Sequence, residues 1–134
     1  MKNIYKIGDQ KTYTKTVSAD ETARFESGEV HPFYGTFALG RDVEWAGRLF
    51  VLDMKEEHEE GIGTYLHVDH HSPALIGEEV RITAEIIGID GAKLDTSFKV
   101  EVGQRLIASG KTGQMILDKE KIERMTNRIK EAQG

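Results

Sequence analysis

The sequence predicts an α+β fold in which an antiparallel sheet of about five strands wraps around one long central helix. Three observations carry that prediction. A segment beginning near Thr36 repeats apolar residues at helical spacing on two of its sides. The stretches that follow it are rich in β-branched and aromatic residues. Between two of them, Asp90-Gly91 is a strong hairpin signal, so neighbouring strands run antiparallel.

The elements follow in order. Lys11 to Val17, KTYTKTV, carries threonines and a tyrosine that suit a first strand. Residues 18–35 contain two glycines and Pro32 and read as a loop with room for a short helix. Next comes TFALGRDVEWAGRLFVLDMKEEHEEG. Val43, Ala46, Phe50 and Met54 form one apolar stripe, and Trp45, Leu49 and Leu52 form another. A helix apolar on two sides is expected to be covered nearly all round from 43 to 54, with Gly61 and Gly63 closing it. Strands are expected at 62–71, 78–90, 92–102 and 105–117, with Gly103-Gln104 turning the chain between the last two. Asp118 is suited to cap a final helix, and Ile122, Met125, Ile129 and Ala132 give residues 118–134 an amphipathic stripe.

A chain of 134 residues is expected to form one domain, 1–134, hiding roughly two-thirds of its unfolded surface. It has no cysteine, which removes disulfides, thiolate metal ligands and a cysteine nucleophile. The net charge of −5, from 18 basic and 23 acidic residues, argues against a nucleic-acid partner. MKNIYKIGDQKTYT lacks the apolar core of a signal peptide, and no long apolar run occurs elsewhere. The expectation is a soluble cytoplasmic protein with no membrane partner.

The densest chemistry lies in GTYLHVDHHSPALIG, residues 63–77, where three of the five histidines and Asp69 fall within five positions. On a helix, His67 would share a face with His70 or His71 at metal-ligand spacing. TYLHV is β-rich, however, and Pro73 disfavours helix at Ser72, so a strand is expected. A strand places Thr64, Leu66, Val68 and His70 on one face and Tyr65, His67, Asp69 and His71 on the other. His67 and His71 would then stand ~13 Å apart, too far for one ion, and no metal is expected. His70, on the apolar face, is either a satisfied core residue or a functional one.

Glu44, in RDVEWAGRLF, has two readings as well. Arg48 at i+4 and Arg41 at i−3 could neutralise it on the helix surface. Alternatively, its apolar surroundings could tune it for acid–base work. Thr36, eight residues earlier, falls near the helix start, where free N–H groups can stabilise an oxyanion.

Together, Thr36 in YGTFALG, Glu44 in VEWAG and His70 in GTYLHVDH resemble the hotdog thioesterases, most closely the fluoroacetyl-CoA thioesterase-like family. That family places a threonine ahead of the central helix, a glutamate before a tryptophan on it, and a histidine on the next strand. The intervals here, eight and 26 residues, agree with it, as does the Gly63-Thr64 that opens the strand. HSPALIGEEVRITAEI resembles the family's proline-then-glycine lead into the following strand, and the likeness runs from about Val30 to Asp118.

The resemblance implies a hotdog fold, hydrolysis of an acyl-CoA thioester, no cofactor or metal, and a homodimer or larger assembly with sites at subunit interfaces. It implies Glu44 as base or nucleophile, His70 as proton carrier or charge stabiliser, and Thr36 as an orienting hydrogen-bonding group. The Gly63 amide becomes an oxyanion donor with Thr64 beside it, and Phe33 and Tyr34 line the acyl pocket. Two departures stand out. Thr112 and Gln114 in SGKTGQ occupy positions where the family often carries histidine and arginine, and Ser27 and Val30 replace the phenylalanines that gate the fluoroacetyl-specific pocket. Fluoroacetyl specificity is therefore not implied. Gln114 also motivates the alternative of a non-catalytic hotdog module that binds an acyl-CoA. A hotdog hydratase is disfavoured because its aspartate–histidine motif is missing.

Overall fold

The computed structural model describes all 134 residues, Met1–Gly134. The strands are β1 (Gln10–Thr16), β2 (Thr22–Phe25), β3 (Gly28–Tyr34), β4 (Glu59–His70), β5 (Glu79–Asp90), β6 (Lys93–Val102) and β7 (Arg105–Asp118). The helices are α1 (Thr36–Met54) and α2 (Lys119–Gln133), with a single 3-10 turn at Ala19–Glu21. Five strands form one antiparallel sheet in the order β1-β5-β6-β7-β4, so β1 and β4 are its edges.

Alternation on the strands builds the core. Val80, Ile82, Ala84 and Ile86 of β5 and Leu94, Phe98 and Val100 of β6 point to the same side and are buried. Against them lies the first α1 stripe, Val43, Ala46, Phe50 and Met54, with Leu39 and Val51 beside it. Tyr5 meets Phe50 edge-on, with ring centroids 5.1 Å apart. No helix is long and apolar enough to cross a membrane.

The structure corrects three expectations. First, residues 18–35 are not mainly loop. After the 3-10 turn, β2 and β3 form a separate hairpin around Gly28, whose φ of +108° suits glycine. Pro32 is tolerated there because the sheet has only two strands. Second, α1 stops at Met54 and not at Gly61, which with Gly63 is already in β4. Beyond Met54 the sequence KEEHEE has no apolar residue to pack, so nothing tertiary sustains another turn. Third, the second α1 stripe is not covered: Trp45 is 41% and Leu52 40% exposed. Five strands wrap only one side of the helix, leaving the side along the β4 edge open. The C-terminal helix forms from the Asp118 cap, whose carboxylate accepts from Glu120 N–H at 2.9 Å.

Candidate active site

The open side of α1 faces β4, and the two run past each other with chemically distinctive residues in contact. Thr36 is the first residue of α1, with Gly35 as its N-cap. Gly35 packs against β2 so closely that an added Cβ would lie 2.9 Å from the Ala23 nitrogen, so a side chain there would push the helix start away. Its N–H donates to the Glu21 carbonyl at 2.8 Å.

A partly buried ionic cluster fastens the same end. Lys15 and Arg41 both pair with Glu21 and with Asp42, and Asp42 also accepts from the Tyr34 hydroxyl. Burial of Glu21 opposes its ionisation. Lys15, the Ser18 N–H and hydroxyl, and Arg41 outweigh that and hold its carboxyl down at about 2. Burial, and then the adjoining Asp42 carboxylate, push the Tyr34 phenol up. Tyr34 is thereby a structural anchor for the helix start as well as a wall of the neighbouring cavity.

From this anchored start, Thr36 Oγ1 reaches His70 Nε2 at 3.0 Å. Further along, an added Cβ on Gly40 would lie 3.1 Å from Leu66 Cδ2, and one on Gly63 would lie 4.0 Å from Glu44 Oε2. The strand thus presents Gly63 and then Leu66 and His70 to the helix, an odd residue followed by even ones. A β-bulge makes this possible. Gly63 pairs with Gln114 and Tyr65 with Gly113, leaving Thr64 as the extra residue that inverts the alternation. Thr64, expected on the inward face, instead borders a different cavity with Tyr65, Lys93, Asp95 and Gln114.

Glu44 forms neither ion pair that helix spacing suggests. Arg48 donates to Glu60 at 2.8 Å, and Arg41 is held by Asp42 at 3.1 Å and by Glu21. Glu44 is exposed, and it lines a cavity of about 300 Å³ together with Arg41, Arg48, Trp45, Gly63, Thr112 and Gln114. Thr36 and His70 line another cavity, of about 310 Å³, with His31, Phe33, Tyr34 and Ile107. Glu44 and His70 therefore line separate cavities and are not in contact within one chain. Eight residues of helix separate Thr36 from Glu44 by about 12 Å.

The other histidines disperse. His67 pairs with Asp69 at 3.0 Å, and His71 Nε2 meets Ser109 Oγ at 2.8 Å. No three His, Asp or Glu side chains converge closely enough to hold a metal ion. Two cavity residues escaped the sequence reading. His31 lay in a segment read as loop, although GEVHPFY after Gly28 carries the aromatic content of a strand. Gln114 stood out only as a departure from a family pattern, not as a wall of the Glu44 cavity.

The sequence model of the fluoroacetyl-CoA-specific thioesterase family matches residues 17–120. Over 127 residues the chain is 29% identical to the fluoroacetyl-CoA thioesterase of Streptantibioticus cattleyicolor, covering 90% of this chain and 91% of that protein. A hypothetical protein of Thermus thermophilus described as a thioesterase superfamily member is 36% identical. It superposes with a TM-score of 0.89 over 95% of this chain and 94% of its own. A hot-dog-like protein from Thermanaerovibrio acidaminovorans shares the fold at 21% identity and a TM-score of 0.82, covering 96% of this chain and 93% of its own. The α1–β4 arrangement thus sits in a hotdog fold, and the chain belongs to the fluoroacetyl-CoA-specific thioesterase family, a family of thioesterases.

Proposed function

We propose that the chain hydrolyses an acyl-CoA thioester with Glu44, His70 and Thr36 as its reactive groups and the Gly63 amide as oxyanion donor. One observation carries this reading: Glu44 forms no ion pair with Arg41 or Arg48, which line its cavity but are paired to other carboxylates, and it faces the side-chain-free backbone of Gly63. A carboxylate neutralised by arginine is a poor base, whereas this one is open to a water beside a backbone that a thioester carbonyl can approach. Glu44 takes a proton as water oxygen bonds to the carbonyl carbon, and the carbonyl oxygen becomes an oxyanion held by N–H donors. When the C–S bond breaks, the proton passes to the CoA sulfur, yielding free acid and CoA. His70, hydrogen bonded to Thr36, moves protons or stabilises charge at the acyl end. The acyl group occupies the cavity walled by Phe33 and Tyr34. Val30 and Ser27 are not among its lining residues, so the fluoroacetyl gate is not part of this reading.

The reading includes a homodimer. β4 is an edge strand of 12 residues, and Trp45, Leu52 and Leu66 stand exposed along it and the adjacent helix. Antiparallel pairing of β4 with a second copy brings the Thr36–His70 end of one chain beside the Gly63–Glu44 end of the other, joining what a single chain keeps apart.

The test is release of CoA from a panel of short acyl-CoAs, followed with a thiol reagent. Turnover above background that Glu44→Ala and His70→Ala each abolish supports the assignment. Full activity in both folded variants overturns it.

A further inference from the structure

Gln114 occupies an unusual position for a carboxamide. It is 8% exposed, on β7, between Gly63 of β4 and Leu94 of β6 in the strand register. Two glycines lie beside it. A Cβ on Gly47 of α1 would lie 3.5 Å from its Nε2, and a Cβ on Gly61 of β4 would lie 3.3 Å from its Oε1. The amide thus lies between helix and strand. Its buried neighbours satisfy each other: Thr96 Oγ1 and Thr112 Oγ1 are 2.6 Å apart. Neither end of the Gln114 amide hydrogen bonds to a protein group, and no buried side-chain polar atom lacks contact with both partner and solvent space. Gln114 borders the cavity that Glu44 and Gly63 line, and also the cavity of Thr64, Tyr65, Lys93 and Asp95.

We infer that Gln114 is a positioning residue for the hydrolytic water, holding it for Glu44 through a side chain that both donates and accepts. This rests on the reading of Glu44 as the base. A water between these groups donates one hydrogen to Glu44, its second to Gln114 Oε1 or another acceptor, and accepts from Gln114 Nε2–H. That leaves its remaining lone pair for the carbonyl carbon. A neutral amide can hold the water without adding a further cation beside Glu44, whose cavity Arg41 and Arg48 already line. The same chemistry explains why a nearly buried polar group is retained without a protein partner, an arrangement that packing alone disfavours.

The experiment compares wild type with Gln114→Met, close to Gln in size and shape but without hydrogen-bonding atoms, and Gln114→Glu, which loses the donor and adds a charge. Steady-state CoA release is measured on a turned-over acyl-CoA, with Glu44→Ala alongside. The inference expects Gln114→Met to lower kcat about 100-fold with KM within about two-fold, while its Tm equals or exceeds that of wild type. It expects Gln114→Glu to move the acidic limb of the kcat/KM profile to higher pH, because a second carboxylate raises the proton affinity of Glu44. Wild-type kcat in Gln114→Met, or an unmoved acidic limb in Gln114→Glu, overturns the inference while the loss of activity in Glu44→Ala leaves the wider reading standing. Should Glu44→Ala keep full activity, that reading falls and the role of Gln114 falls with it.

Discussion

Thr36 Oγ1 and His70 Nε2 lie 3.0 Å apart, joining the first residue of α1 to the last residue of β4. The contact closes one end of the helix–strand interface, next to the cavity that Phe33 and Tyr34 wall. It converts two residues 34 positions apart into one hydrogen-bonded unit. If that unit acts on the acyl end, Thr36→Val should lower kcat about ten-fold or more while Thr36→Ser stays close to wild type. CoA release kinetics on the two variants, with circular dichroism to confirm the fold, decides between a hydroxyl that works and one that only packs.

Glu44 should show loss of activity without loss of stability. Because Arg48 and Arg41 are paired elsewhere, Glu44→Gln breaks no ion pair. Its unfolding free energy should stay within about 0.5 kcal/mol of wild type, as for ordinary surface changes. Denaturant unfolding measures this directly. A large destabilisation would mean that the carboxylate supports the fold.

The dimer reading makes a mixing prediction. Glu44→Ala and His70→Ala subunits should each be inactive, yet a heterodimer built across the β4 edge would hold one site with His70 from one chain and Glu44 from the other. Refolding the two variants together should restore roughly a quarter of wild-type activity, since about half the dimers are mixed and each carries one good site. Recovery near zero, with dimers present in the ultracentrifuge, would place all the reacting groups in one chain.

Acid should weaken the anchored helix start through Glu21. Its folded carboxyl titrates at about 2 against 4.5 for the ordinary group, so its contribution is fully present above about pH 4.5 and is lost as pH falls towards 2. A shift of that size corresponds to about 3 kcal/mol. Glu21→Gln should cost about that much at pH 7, and the gap to wild type should narrow as pH drops through the same window. Urea melts at pH 7, 4 and 3 test the trend; a pH-independent gap contradicts it.

Core packing gives a plain stability prediction. Phe50 is fully buried and meets Tyr5 edge-on, so Phe50→Ala should cost about 3–5 kcal/mol. Its denaturation midpoint would show this.

Much of the molecule was legible in the residues themselves. The Val43-Ala46-Phe50-Met54 stripe, the alternating Val80 to Ile86 run and Asp90-Gly91 each report a local period or turn, and local periods survive into the fold. Thr36, Glu44 and His70 were identifiable as chemical groups by their types and intervals. What they touch was not. The bulge at Thr64 arises from the pairing of β4 with β7, so no reading of β4 alone reveals that Gly63 and His70 face the same helix. The fate of Arg41 and Arg48 was likewise set by Glu21 and Glu60, carboxylates that helix spacing does not see. Sequence by itself determined the elements and the chemistry available, because these depend on neighbours along the chain. Only the tertiary structure decided which groups meet, which charges cancel and which amide is left facing a cavity, because those outcomes depend on neighbours in space.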